Sequence, residues 1–93
     1  MALTYSYTDT YIVNSVDTAD LETAETKALA DLGQQGVTNT FYLEEMCKCL
    51  VYIDLANKQL EAEGMQERAD AYRKEYLRYS QMDNIYDEDE GVV

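Results

Sequence analysis

Histidine is absent from this sequence, and with it the commonest general base and metal ligand. Cysteine is scarce. Cys47 and Cys49 are the only two, and their spacing in a helical pattern points them about 200° apart. That geometry does not suit a disulfide, and with no third cysteine the pair lacks partners for a metal. Both read as small buried hydrophobes, and unpaired thiols fit a reducing compartment. No nucleophile elbow, phosphate loop or dinucleotide fingerprint occurs. The segment "DNIYDEDEG" lacks the central glycine and the twelfth-position acid of a calcium loop. The expectation is a protein without catalysis, metal or cofactor.

Long apolar runs are missing too, and none approaches the roughly 20 residues of a membrane span. "MALTYSYTDT" has no basic side chain and no apolar core, so no secretory signal is expected. Positive charge is sparse: seven Lys and Arg face 19 Asp and Glu, for a net charge of −12. The field of such a chain repels DNA, RNA and anionic lipid. Proline is absent, so no helical pattern is interrupted by one.

What the sequence does contain is helix. Ninety-three residues make one domain, and the spacing predicts a mainly α fold. A first helix runs over "VDTADLETAETKALADLGQQG", capped by Asp17 or Thr18 and closed by Gly33. Its stripe is Leu21, Ala24, Ala28 and Leu32. A second runs from Thr40 to Ala62, with Thr38, Asn39 or Thr40 as cap. Tyr42, Leu43, Met46, Cys49, Leu50, Ile53, Ala56 and Leu60 fall within about 140° of its circumference. Phe41, Cys47, Val51, Tyr52 and Leu55 lie outside that arc, so this helix is apolar nearly all round and demands cover on most sides. Gly64 ends the pattern, and a third helix follows from Met65 or Gln66 to Met82. The last two helices predict an antiparallel hairpin, with Met46, Leu50 and Ile53 facing Tyr72 and Tyr76.

Residues 1–16 differ in kind. Leu3, Tyr5 and Tyr7 alternate with Thr4, Ser6 and Thr8, and "TYIVNSV" follows. This reads as an extended or β-type arm, or a hairpin turning near Asp9. Its apolar side has no obvious cover, so the arm is expected to lie along another polypeptide. Residues 83–93 hold five acids in eight positions and read as an acidic tail outside the 1–82 helical domain.

"GMQERADAYRKEYLRYS" carries four of the seven basic residues and three of the nine tyrosines. Met65, Ala69, Tyr72, Tyr76 and Tyr79 form a narrow packing seam. The basic residues are spread around the helix and mixed with Glu67, Asp70 and Glu75, unlike a phosphate-gripping face. Asp70 and Lys74 are spaced as an i,i+4 pair. By segment, residues 1–36 sum to −5, 37–64 to −3, 65–82 to +1 and 83–93 to −5. Acids of one subunit meeting the third helix of the next would suit a head-to-tail ring.

The run "YLEEMCKCLVYIDLANKQLEAEGMQERADAYRKEYLRYSQMDN" resembles the helical hairpin of small head–tail adaptor proteins of tailed bacteriophages. The resemblance rests on Glu67, Arg68, Ala69, Tyr72 and Tyr76 and covers about half of the chain. It implies a structural virion component, made in the host bacterial cytoplasm, that forms an oligomeric ring against the portal. The expected interface residues are Leu3, Tyr5, Tyr7 and Tyr11 in the arm, Arg68, Arg73 and Arg78 on the third helix, and Asp87, Glu88, Asp89 and Glu90 in the tail. The partners would be sibling subunits and portal or tail proteins, with no nucleic acid and no membrane. The alternative is a small acidic inhibitor or DNA mimic that fits a basic enzyme groove.

Overall fold

The computed structural model describes residues 3–92, with side chains for residues 3–82. Four helices follow one another: α1 (Thr10–Val13), α2 (Thr18–Gln35), α3 (Thr40–Asn57) and α4 (Met65–Val92). No strand occurs among the described residues.

Each boundary has a local cause. At the start of α2 the Asp17 amide donates to the Asp20 carboxylate at 3.2 Å. The helix passes through Gly33 and stops three residues beyond the expected end. It is Gly36 that adopts the left-handed conformation, with φ +79°, while the Val37 amide donates back to the Leu32 carbonyl at 3.1 Å. A glycine ends a helix only where the backbone turns left-handed, and Gly33 does not. The Asn39 side chain accepts from the Phe41 and Tyr42 amides and caps α3. α3 stops at Asn57 rather than Ala62, because residues 58–64 turn through short-range bonds such as Ala62 to Gln59 and Met65 to Ala62. Gly64, at φ +82°, completes that reversal. The expected boundary between helix and acidic tail near Met82 falls at the limit of the described side chains. The α4 backbone continues to Val92.

α3 packs against both α2 and α4, and Gln35 near the end of α2 hydrogen-bonds with the Tyr76 hydroxyl of α4 at 3.1 Å. The α3–α4 pair is antiparallel, as expected. Phe41 meets Tyr79 with ring centroids 6.0 Å apart, and Tyr52 stacks on Tyr72 at 4.6 Å. Arg73 reaches Asn57 at 2.9 Å. The core combines Leu21, Ala24, Ala28 and Leu32 of α2 with Met46, Cys47, Val51, Leu55 and Ala56 of α3 and Met65 and Ala69 of α4. The α2 stripe is thus buried as read. On α3 the emphasis shifts. Val51, Leu55 and Cys47 are fully buried, whereas Leu50 and Ile53 are only half-buried and border a groove shared with Ala24 and Ala28. Tyr72 therefore faces Tyr52 rather than Leu50.

The cover that α3 demands comes from the N-terminal segment. Residues 3–9 are extended and α1 adds one turn of helix; together they form a strap across the front of α3. Leu3, Tyr5, Tyr7 and Val13 pack on the core, and Ile12 is fully buried in it. The expectation of a hairpin, or of an apolar side left for another polypeptide, is corrected here. The alternation is real, with odd positions turned inward and even ones exposed from Leu3 to Thr10, but the surface it meets is helical and belongs to the same chain.

Candidate functional site

Two carboxylates fasten the strap at its two ends. Glu25 projects from the buried face of α2 and is 4% exposed. It accepts the Thr4 amide at 2.7 Å, the Tyr5 amide at 3.1 Å and the Tyr7 hydroxyl at 2.7 Å. Burial works against its charge, but these donors outweigh burial and hold the carboxyl below its ordinary pKa. Nothing in the composition announces this role. Its spacing does, since Glu25 lies four residues after Leu21 and three before Ala28, on the apolar stripe.

Asp9 does the reverse from the strap. Its side chain is 7% exposed and pairs with Arg68 Nη1 of α4 at 2.7 Å. It also accepts the Tyr72 hydroxyl and the Ile12 amide at 3.3 Å, which caps α1. Burial again opposes the charge, and the Tyr72, Ile12 and Arg68 donors again hold the pKa below normal. Between the two anchors the Thr8 and Asp9 amides donate to the Tyr52 hydroxyl oxygen at 2.8 and 3.1 Å. The strap thus crosses from α2 over α3 to α4 on hydrogen bonds to side chains. Half-buried Tyr7 and Tyr72 have pKa values raised by desolvation and by donating to a carboxylate. Burial pushes the thiols of Cys47 and Cys49 up to about 11 and about 12, which keeps both neutral and unreactive.

The expected interface residues are thereby placed. Leu3, Tyr5 and Tyr7 are half-buried against their own core. Tyr11 is exposed; its hydroxyl donates to the Glu63 carbonyl and its ring lies under Arg68 at 4.5 Å. Arg73 pairs with Asp70 at 3.0 Å, so Asp70 takes Arg73 and not Lys74. Arg78 pairs with Glu75 at 2.8 Å and lies over Tyr79. Asp87, Glu88, Asp89 and Glu90 lie outside the described side chains.

Beside the strap, between α3 and α4, opens a cleft of about 750 Å³. Thr8, Asp9 and Tyr11 close one end and Tyr79 lies towards the other, with Glu45, Lys48, Cys49, Tyr52 and Glu75 on the walls. Among the described residues no group of three or more acidic or thiol side chains converges as a metal site. No helix of the described residues is long and apolar enough to cross a membrane. No protein-family model, curated protein or solved structure matches the chain.

Proposed function

We propose that this protein works by protein–protein contact, as a head–tail adaptor subunit of a tailed bacteriophage that assembles into a ring against the portal. One observation carries the reading: α2 and α4 both pack on α3, and the side chains they leave outside the core differ in charge. The α2 edge carries Asp20, Glu22 and Asp31 outside the core against a single Lys27. The α4 edge carries Arg73, Lys74 and Arg78 around Leu77, which is 57% exposed. A head-to-tail contact brings unlike edges together, and repetition of it closes a ring. The antiparallel α3–α4 hairpin, with Ala69 buried and Tyr72 stacked on Tyr52, agrees with the adaptor resemblance.

The test is the mass of the purified protein by size-exclusion chromatography with light scattering. The expected result is an oligomer, reduced to subunits by Leu77→Glu with Lys74→Glu and weakened by high salt. A monomer at every concentration, with and without a portal ring, would sink the proposal. The strap favours a second reading. A segment folded onto its own helices suits a self-contained acidic inhibitor, and a stable monomer that blocks a basic nuclease would support it.

A further inference from the structure

The strap fills only part of the front groove between α3 and α4. Thr8 to Ile12 lie against Tyr52, Arg68 and Tyr72, and the chain then leaves the groove at Tyr7 to reach Glu25 on α2. Beyond that crossing the groove stays open. Its floor is Cys49, and it ends in an aromatic cluster in which Phe41, Tyr42 and Tyr79 have ring centroids 5.5 to 6.1 Å apart. Phe41 is 56% exposed, and Met82, one turn beyond Tyr79, is 45% exposed. Phe41 and Met82 thus leave apolar surface open beside the half-buried Tyr42 and Tyr79 at this end of the groove.

Both signs of charge line the groove, but its cations are already engaged. Lys48 is engaged by Glu44 at 2.8 Å and Arg68 by Asp9 at 2.7 Å. Glu75 shares one contact with Arg78. Glu45, half-buried on the wall, has no hydrogen bond or ion pair among the described residues. Three occupants are conceivable, and charge separates them. Residues 83–93 of this chain carry −5, and a second copy carries −12. The tail would set like charge against Glu45 and Glu75, and the cations of a second copy sit chiefly on α4, where Arg73 and Arg78 are already engaged by Asp70 and Glu75. A separate basic segment meets neither obstacle.

We infer that the open half of the α3–α4 groove docks an extended segment of a partner protein in which basic and apolar residues alternate, continuing the path that the strap abandons. Its apolar side chains would pack on Phe41, Tyr79 and Met82, and its cations would meet Glu45 and Glu75. This surface meets the one assigned to the ring at the Glu75–Arg78 pair, and it holds whether or not the ring forms.

The experiment is fluorescence anisotropy of a labelled peptide of alternating Lys and Leu, titrated with the full chain. A Glu–Leu peptide and a Lys–Ser peptide serve as controls for charge and apolarity. The Lys–Leu peptide binds, and the other two bind far more weakly. Phe41→Ala and Glu45→Gln each weaken binding about tenfold, whereas Glu61→Gln, an equal loss of charge at an exposed site, leaves it unchanged. Circular dichroism of each variant shows that the fold is kept. Equal loss with Glu61→Gln, or binding indifferent to Phe41→Ala, would mean general attraction to an acidic protein and overturn the site. Self-association abolished by Phe41→Ala would assign the groove to a second copy and overturn it as well.

Discussion

Glu25 shows how a single charged side chain can be structural. Three donors converge on it from the strap, and a buried charge is tolerated only when so satisfied. Glu25→Gln places an amide NH₂ among those donors and should cost about 1–3 kcal/mol of unfolding free energy, measured by urea denaturation. The acid response follows from Glu25 and Asp9 together. Both pKa values are lowered on folding. Their contribution is therefore complete above the unfolded values, about 3.9 for Asp and 4.3 for Glu, and fades as pH falls through the folded ones. At the other limit Tyr7, Tyr72, Cys47 and Cys49 are raised. Their contribution is complete below the unfolded pKa values, about 8.5 for Cys and 10 for Tyr, and declines as pH rises through the folded ones. Melting temperatures from pH 3 to 11 should trace a plateau with two falling limbs, and Asp9→Asn with Glu25→Gln should flatten the acid limb and, because Tyr7 and Tyr72 lose their carboxylate partners, also soften the alkaline one. The site was half legible at this scale. Glu25 stood on an apolar stripe where its position signalled burial. Asp9, in a polar segment, gave no sign of the Arg68 and Tyr72 that lie far along the chain.

The strap packs on helices of its own chain, where the sequence suggested a hairpin or a neighbouring polypeptide. Alternation of Leu3, Tyr5 and Tyr7 reports an extended backbone with one buried side, and that is what forms. It does not report what the side is buried against, and here helices supply both apolar surface and hydrogen-bond acceptors. The over-apolar α3 was the complementary clue: an element needing cover and a segment needing a floor satisfied each other. Deletion of residues 1–13 removes Ile12 and both carboxylate fastenings. It should destabilise the domain by more than about 3 kcal/mol, seen as loss of helical circular dichroism at lower temperature. Retention of full stability would return the strap to the role of a free arm. α3 itself misleads through its helical arc, which puts Leu50 at the centre when the strap draws the core round towards Val51 and Leu55. Leu55→Ala should accordingly cost about 2–5 kcal/mol, and Leu50→Ala clearly less, in the same denaturant assay.

The whole molecule is dominated by like charge. Most of its ion pairs are exposed contacts within one helix, such as Glu44–Lys48 and Glu75–Arg78, worth a few tenths of a kcal/mol each. They do little against the self-repulsion of a net charge of −12. Salt should therefore stabilise the isolated subunit while weakening contacts between subunits. The melting temperature should rise between low salt and about 1 M NaCl, where the Debye length has shrunk to about 3 Å, as oligomer mass falls. A melting temperature that drops with salt would mean that the Asp9–Arg68 pair outweighs the global repulsion.

The crossing of the strap from α2 to α4 also sets an order of assembly. Ribosomes make the strap before the helices it binds. Glu25 follows within about 20 residues of Tyr5, but Arg68 and Tyr72 lie 59 and 63 residues after Asp9. One end can fasten while α2 is forming; the other must wait until α4 has been synthesised and has folded back along α3. Loop closure over that span is slow compared with helix formation. Until then Asp9 lacks the Arg68 and Tyr72 partners that hold it. The Asp9 end of the strap is thus locked after the Glu25 end.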